Sequence, residues 1–234
     1  MQIKDASALV TGAGRGIGRA IAVGLAREGA RVTAVARTHG ELESLSGEAG
    51  VPILIHPGDI RDRTVCEEAI SRSVRAHGGL QILVNNAGVG GHAPVGETTD
   101  ELWDRILGTN LTAVFRLTRA ALPHLADKGG HVFMISSLAG VNPIAGMGAY
   151  CASKAALDHL SRCLMLEVRH QGVKVTTIAP GSVDTGFGSR QPGEGEWMLT
   201  PGDVWAVILD LLRARENAHS SRVEMRPLRP PGRA

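Results

Sequence analysis

The lone tyrosine of the chain, Tyr150, stands four residues before a lysine in the run Tyr150-Cys151-Ala152-Ser153-Lys154. On a helix, side chains at that spacing share a face, so a phenol and an ammonium can meet in one site. Lysine occurs only at Lys4, Lys128, Lys154 and Lys174, so a lysine would fall at that position by chance about 2% of the time. A phenol titrates near about 10, and a fixed cation beside it favours the ionised form. Tyr150 is therefore a candidate proton donor and acceptor near neutral pH. Taken alone, the pair is equally compatible with a core tyrosine beside a solvated lysine.

A second group of residues is suited to holding phosphate. Thr11-Gly12-Ala13-Gly14-Arg15-Gly16-Ile17-Gly18 lies between a predicted strand and a predicted helix. Glycines there allow a tight turn and close backbone approach, and a helix N-terminus attracts phosphate. The spacing is Gly-x3-Gly-x-Gly; a simple turn is the alternative reading. An acidic residue at the end of the next strand would bond an adenosine ribose and repel a 2′-phosphate. This chain has Ala36-Arg37-Thr38 instead. Arg37 could pair with the phosphate, Thr38 could donate a hydrogen bond, and Arg15 could approach from the glycine loop. The alternative is two solvated arginines; the pattern favours NADP(H).

These groups need elements to hold them. Short β-branched runs alternate with longer helical stretches, which predicts an α/β fold: a doubly wound parallel sheet of about seven strands with helices on both faces. Strands are predicted at Ala6–Thr11, Arg31–Ala36, Pro52–His56, Ile82–Asn85, His131–Ser136, Lys174–Ala179 and Arg222–Met225. Helices are predicted at Gly16–Gly29, around Glu41–Ala49, at Arg63–His77 and at Tyr150–His170. Thr98 with Glu101 reads as a capping box opening one long helix to about Leu125. Thr200-Pro201-Gly202-Asp203 caps a last helix to about Arg213. Residues 181–200 read as a mobile loop.

Composition narrows the classes. Of the residues, 43% are hydrophobic but only 3% aromatic, so the core must be built from Ala, Val, Leu and Ile. One domain over 1–234 is expected, with a cofactor half at about 1–125, a catalytic and substrate half at about 126–225, and a flexible tail at 226–234. The formal net charge is +2 with scattered arginines, which gives nucleic acid no basic patch. No apolar run is long enough to span a bilayer and no signal-peptide pattern opens the chain, so no membrane partner is expected. Cys66, Cys151 and Cys163 show no paired spacing, which suits reduced thiols in the cytoplasm. The nine histidines show no ligand spacing, so no metal is expected.

In order and spacing, Thr11–Gly18, Asp59-Ile60, Asn85-Asn86-Ala87-Gly88, Asn110, Ser136-Ser137, Tyr150 with Lys154, and Pro180-Gly181 resemble the short-chain dehydrogenase/reductase family along essentially the whole chain. The resemblance implies a catalytic group of Asn110, Ser137, Tyr150 and Lys154. Ser137 would hydrogen-bond a substrate carbonyl, with Ser136 as its rival. Tyr150 would protonate the developing alkoxide, Lys154 would keep the phenol acidic and bind the nicotinamide ribose, and Asn110 would hold a water leading to solvent. Asp59 and Ile60 would flank the adenine, and Asn86, Ala87 and Gly88 the ribose. Beyond Pro180 and Gly181, Val183 and Thr185 would hold the nicotinamide carboxamide.

The expected pocket wall is Val89, Gly90, His92, Leu138, Val141, Asn142, Pro143, Met147, Ser182 and Phe187, mainly apolar and without a fixed charge. His92 is either a contact at the mouth or a solvated loop residue. Trp197 and Met198 either close over substrate or anchor the loop. Among relatives, the 3-oxoacyl-(acyl-carrier-protein) reductases are the nearest description, which implies reduction of a 3-oxoacyl thioester by a homodimer or homotetramer. The ending Arg222-Val223-Glu224-Met225-Arg226-Pro227 departs from them and is more similar to NADP-dependent 3-hydroxy-acid or serine dehydrogenases. A general carbonyl reductase and a catalytically silent NADPH-sensing binding protein complete the alternatives.

Overall fold

Alternating buried strands and amphipathic helices appear in the order β1 (Ser7–Thr11), α1 (Gly16–Arg27), β2 (Arg31–Ala36), α2 (His39–Ala49), β3 (Leu54–Pro57), α3 (Arg63–His77) and β4 (Ile82–Asn85). Then come α4 (Asp100–Leu107), α5 (Ala113–Ala126), β5 (His131–Ile135), α6 (Gly148–Val168), β6 (Lys174–Pro180), α7 (Pro201–Arg213) and β7 (Arg222–Met225). The computed structural model describes residues 1–127, 129–187, 193 and 195–230. All seven strands form one sheet in the order β3-β2-β1-β4-β5-β6-β7. Every neighbouring pair is parallel. This is the doubly wound Rossmann arrangement. The winding reverses between β1 and β4, which opens a crevice beyond their carboxyl ends.

Both faces of the sheet are covered, so its central strands read as unbroken apolar runs. On one face Ile21 and Leu25 of α1, Leu42 and Leu45 of α2, and Ile208 and Leu212 of α7 pack against the sheet. On the other, Ile70 of α3, Leu117 and Leu125 of α5, and Leu157 and Leu164 of α6 do the same. Each fully buried Leu or Ile contributes roughly 1.5–3 kcal/mol. The helix ends follow local chemistry. Gly50 and Gly78 close α2 and α3 with φ of 75° and 74°, a conformation that favours glycine. Thr200 and Asp203 cap each other's backbone at the start of α7, with Pro201 in the first turn.

The long helix expected from Thr98 to Leu125 is corrected. Helix α4 is capped by Thr99, whose hydroxyl accepts from Leu102 N at 3.2 Å. Thr98 donates instead to the Pro94 carbonyl at 3.0 Å. Gly108–Thr112 then forms a π-helical turn before α5 begins. No residue type marks such a turn, so a sequence pattern reads the whole stretch as one helix. Asn110 lies inside it.

Candidate active site

The glycine loop fills the crevice after β1. Gly12 has φ of 65°, and a side chain there would come within 2.8 Å of Ala87 Cα. The Asn86 side chain closes over the loop, donating to Thr11 O at 2.9 Å and Gly12 O at 3.2 Å. The Thr11 hydroxyl accepts from the backbone N–H of Asn86 and of Ala87, both at 3.1 Å. Asn86 thus braces the loop after β1, which leaves Gly88 the innermost of the three. A side chain on Gly88 would lie 3.4 Å from Asn110 Oδ1 and 3.7 Å from Lys154 Nζ.

The loop fits a dinucleotide. Arg15 precedes α1 without giving it a side-chain cap, so first-turn N–H groups of Gly16, Ile17 and Gly18 face the crevice as donors suited to a pyrophosphate. Thr185 reaches Gly16: a side chain there would meet Thr185 Cγ2 at 3.1 Å. Arg15, Arg37 and Thr38 are exposed. Arg61 holds Asp59, donating from Nη2 and Nε to Oδ2 at 2.7 and 3.0 Å. That pairing, with a smaller effect from Arg37, keeps its carboxyl below the usual range. Ile60 is buried and belongs to the α3 face of the core. Pro180 ends β6, and Gly181 N donates to Met225 O at 2.8 Å.

The four expected catalytic residues converge from three elements. Tyr150 and Lys154 are buried on α6, with Lys154 Nζ 5.8 Å from the phenol ring centroid. Ser137 follows β5; its hydroxyl is near enough to the Tyr150 phenol to draw its titration downward and accepts from Ala139 N at 3.1 Å. Ser136 is turned away, toward the Lys154 carbonyl. Asn110 is fully buried. Its amide donates to Val89 O at 2.9 Å and to Ser153 Oγ at 3.0 Å, and its oxygen accepts from Val89 N at 2.9 Å.

One electrostatic expectation is reversed. Burial raises the Tyr150 phenol above its ordinary range, with the Ser137 hydrogen bond pulling only partly the other way. The Lys154 ammonium, directed to the Ile135 carbonyl at 2.8 Å, does not offset that rise. The same desolvation brings the lysine down to about 8, opposed by the Asp158 carboxylate. Both groups therefore favour their neutral forms more than in water.

Around this group, Phe187 approaches Tyr150 with ring centroids 5.7 Å apart and planes inclined by 51°. Gly90 makes room: a side chain there would come within 3.0 Å of the Phe187 ring. His92 is exposed and lies on Gly146, whose φ is 76°. Met198 folds back on Gly195, and the loop ends are joined where Leu199 N donates to Ser182 O at 3.0 Å and Asp184 N to Leu199 O at 2.7 Å. The expected loop over 186–199 otherwise falls partly outside the described residues.

Sequence reasoning missed several supports. Ser153 links Asn110 to α6, donating to the Tyr150 carbonyl at 2.7 Å. Arg19 ties the glycine loop to α2 through Gly14 O at 3.1 Å and Glu41 O at 3.0 Å. Asp158 and Arg222, 2.6 Å apart, were also missed. The only available signal was i+4 spacing from Lys154 to Asp158; their partner lies 64 residues further on.

A family model described as short chain dehydrogenase matches residues 6–194. An uncharacterized oxidoreductase of Staphylococcus aureus (strain MRSA252) is 30% identical over 228 residues, covering 97% of this chain and 99% of its own. An uncharacterized NAD-dependent oxidoreductase of Mycobacterium tuberculosis is 38% identical over 196 residues, 76% of this chain and 71% of its own. Among solved structures, an alcohol dehydrogenase from the archaeon Thermococcus sibiricus, complexed with 5-hydroxy-NADP, aligns with a TM-score of 0.89 at 30% identity, covering 95% of this chain and 97% of that one. The chain belongs to the short-chain dehydrogenase/reductase family. It is accordingly an oxidoreductase, and no described helix is long and apolar enough to cross a membrane.

Proposed function

We propose that this protein is an NADP(H)-dependent reductase that converts a ketone to a secondary alcohol, with Ser137, Tyr150, Lys154 and Asn110 as its catalytic group. The observation that carries this reading is the burial of Tyr150 and Lys154 together on α6, ring centroid to ammonium 5.8 Å, against the end of β5 where Ser137 stands. When bound, the reduced nicotinamide supplies the hydride. A phenol raised by burial holds its proton at neutral pH, ready for an oxygen that becomes an alkoxide. Ser137 orients that oxygen by donating a hydrogen bond. Lys154, with one N–H on Ile135 O, has donors left for the ribose hydroxyls. Both polar atoms of the Asn110 side chain are engaged by protein, so a water held there would meet its backbone carbonyl.

NADP(H) is favoured by Arg37 and Arg15 and by the lack of an acid at Ala36. The Thermococcus structure carries an NADP derivative, whereas the mycobacterial relative is named NAD-dependent. The glycine loop would hold the pyrophosphate, Asp59 and Ile60 the adenine, Ala87 and Gly88 the ribose, and Val183 and Thr185 the carboxamide. For substrate we favour a 3-oxoacyl thioester, since the expected wall is mainly apolar. A free ketone or hydroxy acid is second, favoured by the likeness to an alcohol dehydrogenase. A cytoplasmic homodimer or homotetramer completes the reading; exposed Trp103 and Phe115 suit a subunit contact.

The test is NADPH oxidation with an acetoacetyl thioester and with small ketones, using Tyr150→Phe as the blank. Turnover should fall by at least about a hundredfold in the variant while NADPH still binds. Turnover at the parent rate would overturn the mechanism.

A further inference from the structure

Lys154 is a buried cation, and burial is costly to an ammonium unless a counter-charge stands near. One turn further along α6, at the same i,i+4 spacing that joins Tyr150 to Lys154, stands Asp158. It is 6% exposed, and Lys154 is 4% exposed. A side chain on Gly140, in the turn after Ser137, would lie 2.7 Å from Asp158 Oδ2 and 3.1 Å from the main-chain carbonyl of Lys154, so Asp158 packs on the turn of α6 that carries the lysine. Asp158 is not the lysine's alone. Arg222 of the edge strand β7 donates from Nη1 to Asp158 Oδ2 at 2.6 Å, and from Nε to Glu224 Oε1 at 3.1 Å. Glu224 also meets Arg226 at 2.8 Å. Charges thus alternate from the active site to the sheet edge: Lys154, Asp158, Arg222, Glu224, Arg226. Asp158 Oδ1 and Arg222 Nη2 are both buried without a hydrogen-bond partner, so the carboxylate keeps acceptor capacity beyond its arginine.

We propose that Asp158, held by Arg222 of β7, is a positioning residue that acts through Lys154 as the buried counter-charge of the active site. Asp158 keeps the lysine charged, and Arg222 limits how far it does so by drawing on the same carboxylate. This rests on the proposed roles of Tyr150 and Lys154. Among the described residues, the charged and titratable groups in this chain of contacts are Tyr150 and Asp158 on the lysine's own helix and Arg222, which reaches Asp158 from β7 with Glu224 behind it. β5 presents the Ile135 carbonyl and the π-helical turn the Asn110 amide.

The chain has four lysines, so the Cε resonance of each can be followed with 13C-labelled lysine, and Lys154 identified by its loss in Lys154→Met. The parent midpoint should stand near about 8. Asp158→Asn should lower it by about one pH unit, and Arg222→Met should raise it, since Asp158 then serves the lysine alone. Asp158→Glu, which keeps the charge, should stay close to the parent. The alkaline limb of ketone reduction should move with the midpoint in each variant. A limb set by phenol ionisation would move the opposite way, because losing the lysine's charge makes the phenol harder to ionise. Unmoved midpoints in Asp158→Asn and Arg222→Met, or a limb that ignores moving midpoints, overturn the proposal. Turnover that survives Tyr150→Phe overturns the catalytic reading instead, while the lysine titration still reports on Asp158.

Discussion

Phe187 and Tyr150 form a tilted aromatic pair, 5.7 Å between centroids, in which the outer ring is 41% exposed and the inner one buried. The arrangement depends on Gly90, where a side chain would press on the Phe187 ring. Aromatic pairs of this geometry are worth about 0.5–1.5 kcal/mol beyond their buried area. Phe187 therefore bounds the space beside the phenol from the solvent side. Phe187→Ala should raise kcat/KM for a ketone with a bulky second substituent by about tenfold relative to acetone-sized ketones. Steady-state kinetics on the two ketones measure this, and an unchanged ratio would mean that the ring stands aside from bound substrate.

Arg37 follows β2 in the open, close enough to Asp59 to lower its carboxyl slightly, though Arg61 is the larger influence. In Arg37→Asp a guanidinium suited to a 2′-phosphate becomes a repelling carboxylate. A charge-assisted hydrogen bond is worth about 1.5–3 kcal/mol, so NADPH affinity should fall by about ten- to a hundredfold, with NADH affected far less. Arg37→Ala separates the lost attraction from the added repulsion and from the new proximity of two carboxylates. Fluorescence titration with both nucleotides decides it; equal losses for the two would remove Arg37 from the phosphate.

The sequence disclosed those parts of the site whose chemistry is local. Gly12 announces a positive φ, Thr200 with Asp203 announces a cap, and Tyr150 with Lys154 announces a shared helix face; each needs only a few neighbouring residues to be read. Bounds of β2, α3, β4, α7 and β7 were legible for the same reason. The π-helical turn at Gly108–Thr112 was hidden because it has no residue-type signature between two helical stretches. The direction of the phenol's shift was hidden because it depends on burial: Lys154 points at a β5 carbonyl that no spacing rule brings to it. Asp158 with Arg222, and Phe187 with Gly90, are pairs made by the fold across 64 and 97 residues.

His131 makes acid stability testable. It is buried at the start of β5, stacked on Phe133 at 3.9 Å. Thr176 donates its hydroxyl proton to Ser220 O at 2.7 Å, so His131 Nε2 must carry the proton in the 2.8 Å contact with Thr176. Burial, with smaller effects from His219, Lys174 and the N-terminus, brings the imidazole down to about 3. The folded value lies below the unfolded one, so between about 6.5 and 3 the unfolded chain binds more protons and stability falls as pH falls. The loss should reach several kcal/mol, on the order of 1.4 per pH unit, across that window. Urea midpoints at pH 7.5 and 4.5 should differ by less in His131→Phe than in the parent. A residual slope should remain from His56 and His77, which burial also lowers. Equal slopes in parent and variant would show that His131 is not the group titrating.

Gly24 lies in the middle of α1, where glycine is about 1 kcal/mol worse than alanine. The reason for it is on α7: a side chain at Gly24 would lie 2.5 Å from Trp205 Cδ2 and 2.6 Å from its Nε1. The indole packs against the core beside α1, so a side chain at Gly24 requires the ring to shift. Overpacking of this kind costs about 1–3 kcal/mol, which outweighs the gain in helix propensity. Gly24→Ala should therefore destabilise the protein by about 1–2 kcal/mol in urea unfolding. In a Trp205→Leu background the same substitution should become neutral or stabilising, because only the propensity gain is left. A double-mutant cycle measures that reversal directly, and an alanine that stabilises the parent would mean that α1 and α7 pack less closely than they stand here.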